Sequence, residues 1–201
     1  YTPTHTLSLH DALPICQIAI STDSHVVSPL FYPGGDIGRL AVCGTVNDVA
    51  MLGAQPQFLT AAFIVEEGFA MKALERVITS MAEACREAGV QIIAGDTKVV
   101  EKGSADGLFI TTAGFGIIPP DRVIGGQFAQ AGDAVLVSGS LGDHGIAVLQ
   151  ARGELGFESE ITSDIAPLTK MLQALVDEIP QVHVLRDPTR GGLATTLKEI
   201  A

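Results

Sequence analysis

Apolar residues recur along the first half of the chain with periods that alternate between those of strands and helices. Residues 57–65 are almost continuously apolar and predict a buried strand. From 71 to 88, apolar side chains recur every three or four positions, and Gly89 follows as a C-terminal stop. This is the clearest helix. Residues 17–22 alternate and predict a strand ending at Asp23.

The same pattern gives three further elements in this half of the chain. Residues 38–54 predict a helix with small residues on one face, which permits close packing. Residues 90–95 predict a buried strand that delivers Asp96 at its exit, and 108–118 predict another strand. Two prolines and three glycines in 26–38 predict a loop or long bend.

A second unit is predicted to begin near residue 131. Strands are expected at 133–139 and 182–187, and helices at 142–153, at 164–179 and from 189 to the end of the chain. Strands and helices of both units together indicate an α+β fold.

The predicted organisation therefore has four parts. Residues 1–16 follow neither period and are interpreted as a foreign or mis-translated leader. Residues 17–120 form an N-terminal domain, 121–130 a linker, and 131–201 a partial C-terminal α/β domain that stops inside a helix.

Composition narrows the classes of partner. A hydrophobic fraction of 47% and a charged fraction of 17% favour a substantial core over disorder. The net charge of −11 argues against binding nucleic acid or anionic membranes through a basic surface. No apolar run approaches the ~20 residues that span a bilayer. Three cysteines fit neither a zinc knuckle nor a disulfide framework, so a reducing cytoplasm is the simplest compartment.

The candidate chemistry lies in aspartates at predicted strand exits or in glycine-rich turns. Asp23, Asp48, Asp96 and Asp143 all have such positions. Hard cations such as Mg²⁺ take oxygen ligands, and a nucleotide–Mg²⁺ complex usually uses one or a few carboxylates. The alternative for each aspartate is that it caps a helix or turn.

Neighbouring side chains extend these turns, and each has a structural alternative. Lys98 could neutralise a phosphate or lie free in solvent, and His144 in its Gly-Asp-His-Gly turn could be functional or structural. Arg190 could contact a phosphate or lie in a proline-introduced turn. No Walker A or dinucleotide fingerprint is present. The residues alone therefore predict phosphate and metal loops without a reaction.

Six motifs carry a resemblance to a known family. They are STDSHVVSPLFYPGGDIGRLAVCGTVNDVAMLGAQP, FIVEEG, AGDTKVVEKG, TAGFG, SGSLGDHG and RDPTRGG. From about Gln17 to Ala201 the chain resembles the HypE family of hydrogenase maturation proteins. That family belongs to the superfamily of aminoimidazole ribonucleotide synthetase, selenophosphate synthetase and thiamine monophosphate kinase.

The resemblance implies a fold and an activity. The N-terminal domain is expected to pair in a homodimer through a shared barrel, with ATP near that interface, and the C-terminal domain to be an α/β sandwich. HypE proteins use ATP to dehydrate a thiocarboxamide on their C-terminal cysteine to a thiocyanate. The carbamoyl group comes from HypF, and the cyano group passes to iron on the HypC–HypD complex of [NiFe]-hydrogenase maturation.

The resemblance also implies roles for individual residues. Expected metal and phosphate ligands are Asp23, Asp48 and Asp96. Neighbours of the nucleotide are Asn47 and Thr97, and candidates for catalysis are Lys98 and, more weakly, His144, with Asp143 in a supporting role.

Two departures from the family pattern bear on activity. Residues 1–16 lack the family's glycine-rich stretch, and the acceptor cysteine is absent, so these 201 residues are expected not to complete a turnover. The alternatives are another ATP-using enzyme of the superfamily, such as selenophosphate synthetase, or a non-catalytic homologue that keeps the fold.

Overall fold

A computed structural model describes residues 17–156 and 159–201. The elements in chain order are β1 (Gln17–His25), β2 (Phe31–Tyr32), β3 (Gly35–Asp36), α1 (Ile37–Met51), β4 (Gln55–Glu66), α2 (Met71–Ala88), β5 (Gln91–Val100), β6 (Leu108–Ile118), a short 3₁₀ turn (Gly126–Phe128), α3 (Asp143–Arg152), α4 (Thr169–Glu178) and α5 (Gly192–Ile200). The mixture of helices with a mixed sheet confirms the α+β prediction.

The main sheet has four strands in the order β1-β6-β4-β5. β6 is antiparallel to both β1 and β4, whereas β4 and β5 are parallel. A parallel pair needs a crossover connection, and α2 supplies it. β1 and β5 are consequently the two open edges of the sheet.

Helices α1 and α2 cover one face of this sheet. The amphipathic pattern predicted α2 at its observed bounds, and Gly89 ends it in the left-handed conformation with its amide bonded to the Cys85 carbonyl at 2.9 Å. α1 begins at the cap residue Asp36, whose carboxylate accepts from the Gly38 amide at 2.7 Å. A Cβ at Gly38 would lie 2.5 Å from the Val77 carbonyl oxygen, so glycine is what allows the two helices to meet.

The opposite face of the sheet is not covered by any described residue. Alternation along the strands places Leu108, Ile110 and Thr112 of β6 toward the helices, where they are buried. Several apolar side chains on the other face are exposed: Ile18 by 56%, Ile20 by 71%, Ile64 by 40% and Ile117 by 43%. This face is called the open face below.

The strand β5 differs from its prediction in length and burial. It continues to Val100, so Asp96 lies inside the strand rather than at its exit. The pairing of Glu66 with Val100 shows that β4 holds it along that whole length. Because β5 is an edge strand, its polar residues remain in water, and the predicted burial is wrong.

The second unit contains the three predicted helices but none of its predicted strands. Residues 133–139 and 182–187 form no strand, and Val135 and Leu136 are exposed by 66% and 81%. A strand needs a ladder of backbone hydrogen bonds to a neighbouring strand, and neither segment forms one among the described residues, although the Gly125 amide donates to the His183 carbonyl at 3.0 Å. α4 begins at Thr169 rather than 164, because backbone groups of the preceding residues are hydrogen-bonded to side chains of α1 instead.

Two remaining predictions concern the ends and the membrane. The predicted leader, residues 1–16, lies outside the described residues. Among the residues that are described, no helix has the length and apolar character to cross a bilayer.

Candidate functional site

Asp23 and Asp48 meet on the helix-covered side of the sheet. Asp48 lies on α1, and its Oδ2 accepts a 2.8 Å hydrogen bond from Ser21 Oγ. Ser21 and Asp23 are two residues apart on β1 and therefore project to the same face, toward α1. Asp23 Oδ1 also accepts from the Ser24 amide at 2.8 Å. The edge strand and the helix thus converge to form a small polar pocket.

A cation from the second unit lies against this pair. Arg190 Nη2 donates to Asp23 Oδ1 at 3.1 Å. Arg190 has a positive φ of 40°, and Gly191 and Gly192 follow at 89° and 67°, so a left-handed turn directs the guanidinium back from the start of α5. The Arg190 side chain is 85% exposed, which leaves it free to change partners.

The electrostatics of the pocket fit a bound cation. Burial raises the pKa of Asp48, and repulsion from Asp187 and Asp23 raises it further, while the Ser21 hydrogen bond and Arg190 oppose the rise. Carboxylates that repel one another in this way are stabilised by a positive charge placed between them. The donor set is all oxygen, which Mg²⁺ prefers.

Asp187 is a member of this site that sequence reasoning overlooked. Its charge acts on Asp48 from the loop before α5. A signal was present, since Asp187 opens the DPTRGG stretch of the RDPTRGG motif, in which only Arg190 was predicted as a possible phosphate contact. Among the described residues, no group of three or more His, Cys, Asp or Glu is close enough to hold a metal unaided.

A buried histidine supports Asp23 from inside the fold. His25 Nε2 lies 3.2 Å from Thr112 Oγ1 and 3.8 Å from Asp23 Oδ2. Thr112 Oγ1 donates to the Ala41 carbonyl at 3.1 Å and also contacts Thr45 Oγ1. His25 therefore belongs to one buried hydrogen-bond cluster with Thr112, Thr45 and the Ala41 carbonyl. Burial lowers the pKa of His25, against the pull of Asp23, so the ring is neutral at pH 7.

Asp96, Thr97 and Lys98 do not join this cluster within one chain. Asp23 pairs with Thr112, Thr112 with Ala61, and Ala61 with Gly95. Three strand spacings, about 14 Å, therefore separate the two edges.

The side chain of Asp96 also points to the other face of the sheet. Residues that pair across strands share a face, and Asp96 pairs with Ala62, which pairs with Thr111, whereas Gly95 is on the row of Asp23. Lys98 lies 3.0 Å from Asp96. Its ammonium and the Thr97 amide lower the pKa of Asp96. Asp96 and Lys98 thus form a separate charged pair on the open face.

His144 and Asn47 contact other parts of the protein. His144 Nδ1 lies 3.1 Å from Ser163 Oγ, and its ring packs edge-on against Tyr32 at 5.3 Å between centroids. Burial lowers its pKa. The Asn47 amide bonds the backbone of Ala166 and Leu168. Asp143, the predicted supporting residue beside His144, contacts Ser140.

Two family models match this chain. The family model described as AIR synthase related protein, N-terminal domain, matches residues 10–118, and its C-terminal counterpart matches residues 130–201.

Individual relatives agree with the family match. The carbamoyl dehydratase HypE of Cupriavidus necator is 57% identical over 185 residues, which is 92% of this chain and 53% of that protein. A crystal structure of HypE in complex with ATP superposes with a TM-score of 0.89 at 55% identity, covering 97% of this chain and 58% of that one. A crystal structure of a HypE–HypF complex superposes with a TM-score of 0.88 at 57% identity, covering 91% of this chain and 60% of that one. The chain therefore spans a little over half the length of the relatives it matches.

Proposed function

Because the chain belongs to the AIR synthase related protein family, and within it to the HypE proteins, we propose that these residues form the ATP-binding part of a carbamoyl dehydratase. The observation that carries the proposal is the pocket of Asp23, Asp48 and Arg190. It has oxygen ligands, two carboxylates that repel one another and an exposed guanidinium, which suit a nucleotide–metal complex. The ATP-bound HypE relative supports the same nucleotide.

The proposed reaction of the whole protein is the dehydration of a thiocarboxamide on a C-terminal cysteine. The amide oxygen is phosphorylated by ATP, the carbon–oxygen bond breaks with phosphate as the leaving group, and the nitrogen loses two protons to give a thiocyanate. The products are ADP, phosphate and the cyano group destined for the iron of a [NiFe]-hydrogenase.

Within this scheme the residues of the pocket bind and orient. Asp23 and Asp48 would hold Mg²⁺, which neutralises phosphate charge when bound, and Ser21 would fix the carboxylate of Asp48 by its 2.8 Å bond. Arg190 would exchange its bond to Asp23 for a phosphate oxygen. Asp187 would complete the acidic side of the pocket.

A second copy of the chain is proposed to bring in the remaining predicted ligands. An antiparallel sheet usually keeps one face polar for solvent, whereas here isoleucines occupy the open face. Pairing two open faces would bury them, and edges β1 and β5 of different copies would then adjoin. Asp96, Thr97 and Lys98 of one copy would thereby approach Asp23 of the other, giving a shared ATP site.

The proposed partners follow from the relatives. The HypE–HypF complex supports an encounter with the carbamoyltransferase HypF. Transfer of the cyano group to a HypC–HypD complex in the cytoplasm follows from the same proposed chemistry. His144 remains a candidate for proton transfer, although its contacts with Ser163 and Tyr32 favour a structural part in the second unit.

Thermal unfolding with and without Mg·ATP tests the nucleotide site. Mg·ATP is expected to raise the unfolding temperature of the unsubstituted chain, because a ligand that binds only the folded state stabilises it by mass action. The shift should vanish in Asp48→Asn. The matched control is Asp121→Asn, which removes the same charge in the linker region. An unchanged shift in Asp48→Asn would contradict the assignment.

Mixing two variants tests whether the site is shared. Asp48→Asn and Lys98→Ala should each lose Mg·ATP binding, and a mixture refolded together should regain part of it. Only a heterodimer with residues from both copies contains one intact site. If the mixture binds no more than the separate variants, the site lies within one chain.

A fusion of this chain with the C-terminal part of a relative tests the reaction itself. The 201 residues of the present sequence would be joined to the C-terminal part of a HypE protein, carbamoylated by HypF and given ATP. Mass spectrometry should show the C-terminal peptide losing one water only when Asp48 is intact. A carbamoylated peptide that persists in the presence of bound ATP would rule out the dehydratase.

A further inference from the structure

A segment of the second unit that is neither helix nor strand lies along α1 of the first. Residues 163–168, called the strap here, run between α3 and α4. The Ser163 amide donates to the Pro33 carbonyl at 2.8 Å, and Arg39 Nε donates to the Ile165 carbonyl at 3.1 Å. Further along, Asn47 contacts both Ala166 and Leu168. Backbone groups of the strap are thus satisfied by the first unit rather than by helix formation.

The Asn47 side chain forms two hydrogen bonds with the backbone of the strap, as a neighbouring strand would. Its Nδ2 donates to the Ala166 carbonyl at 3.0 Å, and its Oδ1 accepts from the Leu168 amide at 2.8 Å. One amide plane thereby joins two backbone groups two residues apart, which is the pattern of a strand pair. With a donor and its carbonyl oxygen used in this way, Asn47 has less capacity for a nucleotide than the family resemblance implied.

Two other features hold the strap close to the first unit. Gly34, with φ of 85°, approaches so near that a Cβ there would lie 2.6 Å from the Ser163 nitrogen. Arg39 is itself fixed by a 2.8 Å ion pair with Glu87 of α2. The strap therefore follows a defined path that ends beside Asp48.

The strap is joined to the loop at the candidate site through α4. The strap leads directly into α4, where Leu172 and Val176 are buried, and the chain then returns to Asp187 and Arg190. We propose that Asn47 is a positioning residue that holds the strap, and through it places the Asp187–Arg190 loop over Asp23 and Asp48. The inference rests on the proposed function only in treating that cluster as the nucleotide site.

Hydrogen exchange of the Leu168 amide tests the first half of the proposal. Asn47→Ala should speed this exchange by about fivefold, since the lost bond is worth about 1 kcal/mol. Asn47→Asp keeps an acceptor for Leu168 but loses the donor to Ala166, so it should give an intermediate rate. Gln57→Ala, which removes an exposed amide bonded only within β4, is the control. Amides of β6 report whether each variant remains folded.

Cross-linking tests whether the strap places the loop. Asp23→Cys and Arg190→Cys would be joined by a short bis-maleimide after Cys16→Ser, because Cys43 and Cys85 are buried. Adding Asn47→Ala should lower the cross-linking rate severalfold. The same reagent on Ser24→Cys and Thr111→Cys, which are neighbours across β1 and β6, should be unaffected. A general loss of stability would change both pairs.

The outcomes separate the two proposals. If Asn47→Ala leaves either the Leu168 exchange or the Asp23–Arg190 cross-linking rate unchanged, the positioning role is wrong. If that variant leaves both unchanged and only weakens Mg·ATP binding, Asn47 is a nucleotide contact, as the sequence predicted. If Mg·ATP fails to stabilise the unsubstituted chain, the proposed function is wrong, while the exchange and cross-linking results still decide the role of Asn47.

Discussion

The two faces of the four-stranded sheet differ in what they bury and in the chemistry they carry. The face under α1 and α2 is closely packed and presents Ser21, Asp23 and His25 toward α1. The open face has exposed isoleucines with one charged pair, Asp96 and Lys98, at its edge. A sheet whose two faces are both apolar is built for burial on both sides. The side chains predicted for one site are therefore divided between the face that the helices cover and the open face.

The largest effect should come from a charge on the open face. Ile20→Asp is expected to abolish self-association, because pairing would bury an uncompensated carboxylate. The folded monomer should be little affected, since Ile20 is already 71% exposed. Light scattering after gel filtration measures the change. Val26→Asp alters a similarly exposed valine just beyond the sheet, and a loss of association there too would remove the distinction between the faces.

The helix-covered face should respond to added volume instead. Gly38→Ala is expected to destabilise the chain by about 3 kcal/mol, because the new Cβ would lie 2.5 Å from the Val77 carbonyl and would separate α1 from α2. Urea unfolding gives the free energy. Gly145→Ala is the matched control, since its Cβ in α3 meets nothing within 4 Å. It should stabilise by up to about 1 kcal/mol through helix propensity.

The sequence predicted best what depends on local periodicity. Helix α2 was predicted at its observed bounds because its apolar stripe and Gly89 are both local signals. β5 was predicted too short, since Asp96 and Lys98 are residue types depleted in strands and the edge position tolerates them. The strands predicted at 133–139 and 182–187 failed for the opposite reason, because apolar residues without a partner form no ladder.

The site was predictable in its residue types but not in its geometry. Asp23 and Asp48 meet as expected, whereas Asp96 faces away because the side chains of a strand alternate between faces. A one-residue shift in the predicted end of a strand is enough to reverse that outcome. The contact of Asn47 with Ala166 joins positions 119 residues apart and leaves no local signal.

A neutral substitution in the site should improve stability while it removes binding. Since burial and then Asp187 and Asp23 raise the pKa of Asp48, the folded state holds its charged form unfavourably at pH 7. Asp48→Asn should therefore raise the unfolding temperature of the ligand-free chain. The corresponding gain in the free energy of unfolding should be less than about 1 kcal/mol, because the group is partly solvated. Ser21 can still donate to the Asn oxygen. A lower unfolding temperature would mean that the charge of Asp48 helps the fold.

The smallest expected effect is a change in pH dependence caused by His25. Burial lowers its pKa in the folded state, with Asp23 opposing and Arg190 assisting. Below a pH of about 6.5 the unfolded chain therefore takes up a proton on this residue before the folded one does. The free energy of unfolding should fall as the pH drops from that value, and the contribution of His25 should be constant above it.

His25→Gln isolates this contribution, because its amide can still donate toward Thr112 but does not titrate. Urea unfolding between pH 7.5 and about 5 should show a shallower decline for the variant than for the unsubstituted chain. Some decline should remain, since burial also lowers the pKa of His144. Parallel curves would mean that folding leaves the pKa of His25 unchanged, and a steeper decline for the variant would mean that His25 is charged in the fold. The helix-covered face would then hold an ion pair with Asp23 rather than a neutral hydrogen-bond chain, and its contrast with the charged edge of the open face would disappear.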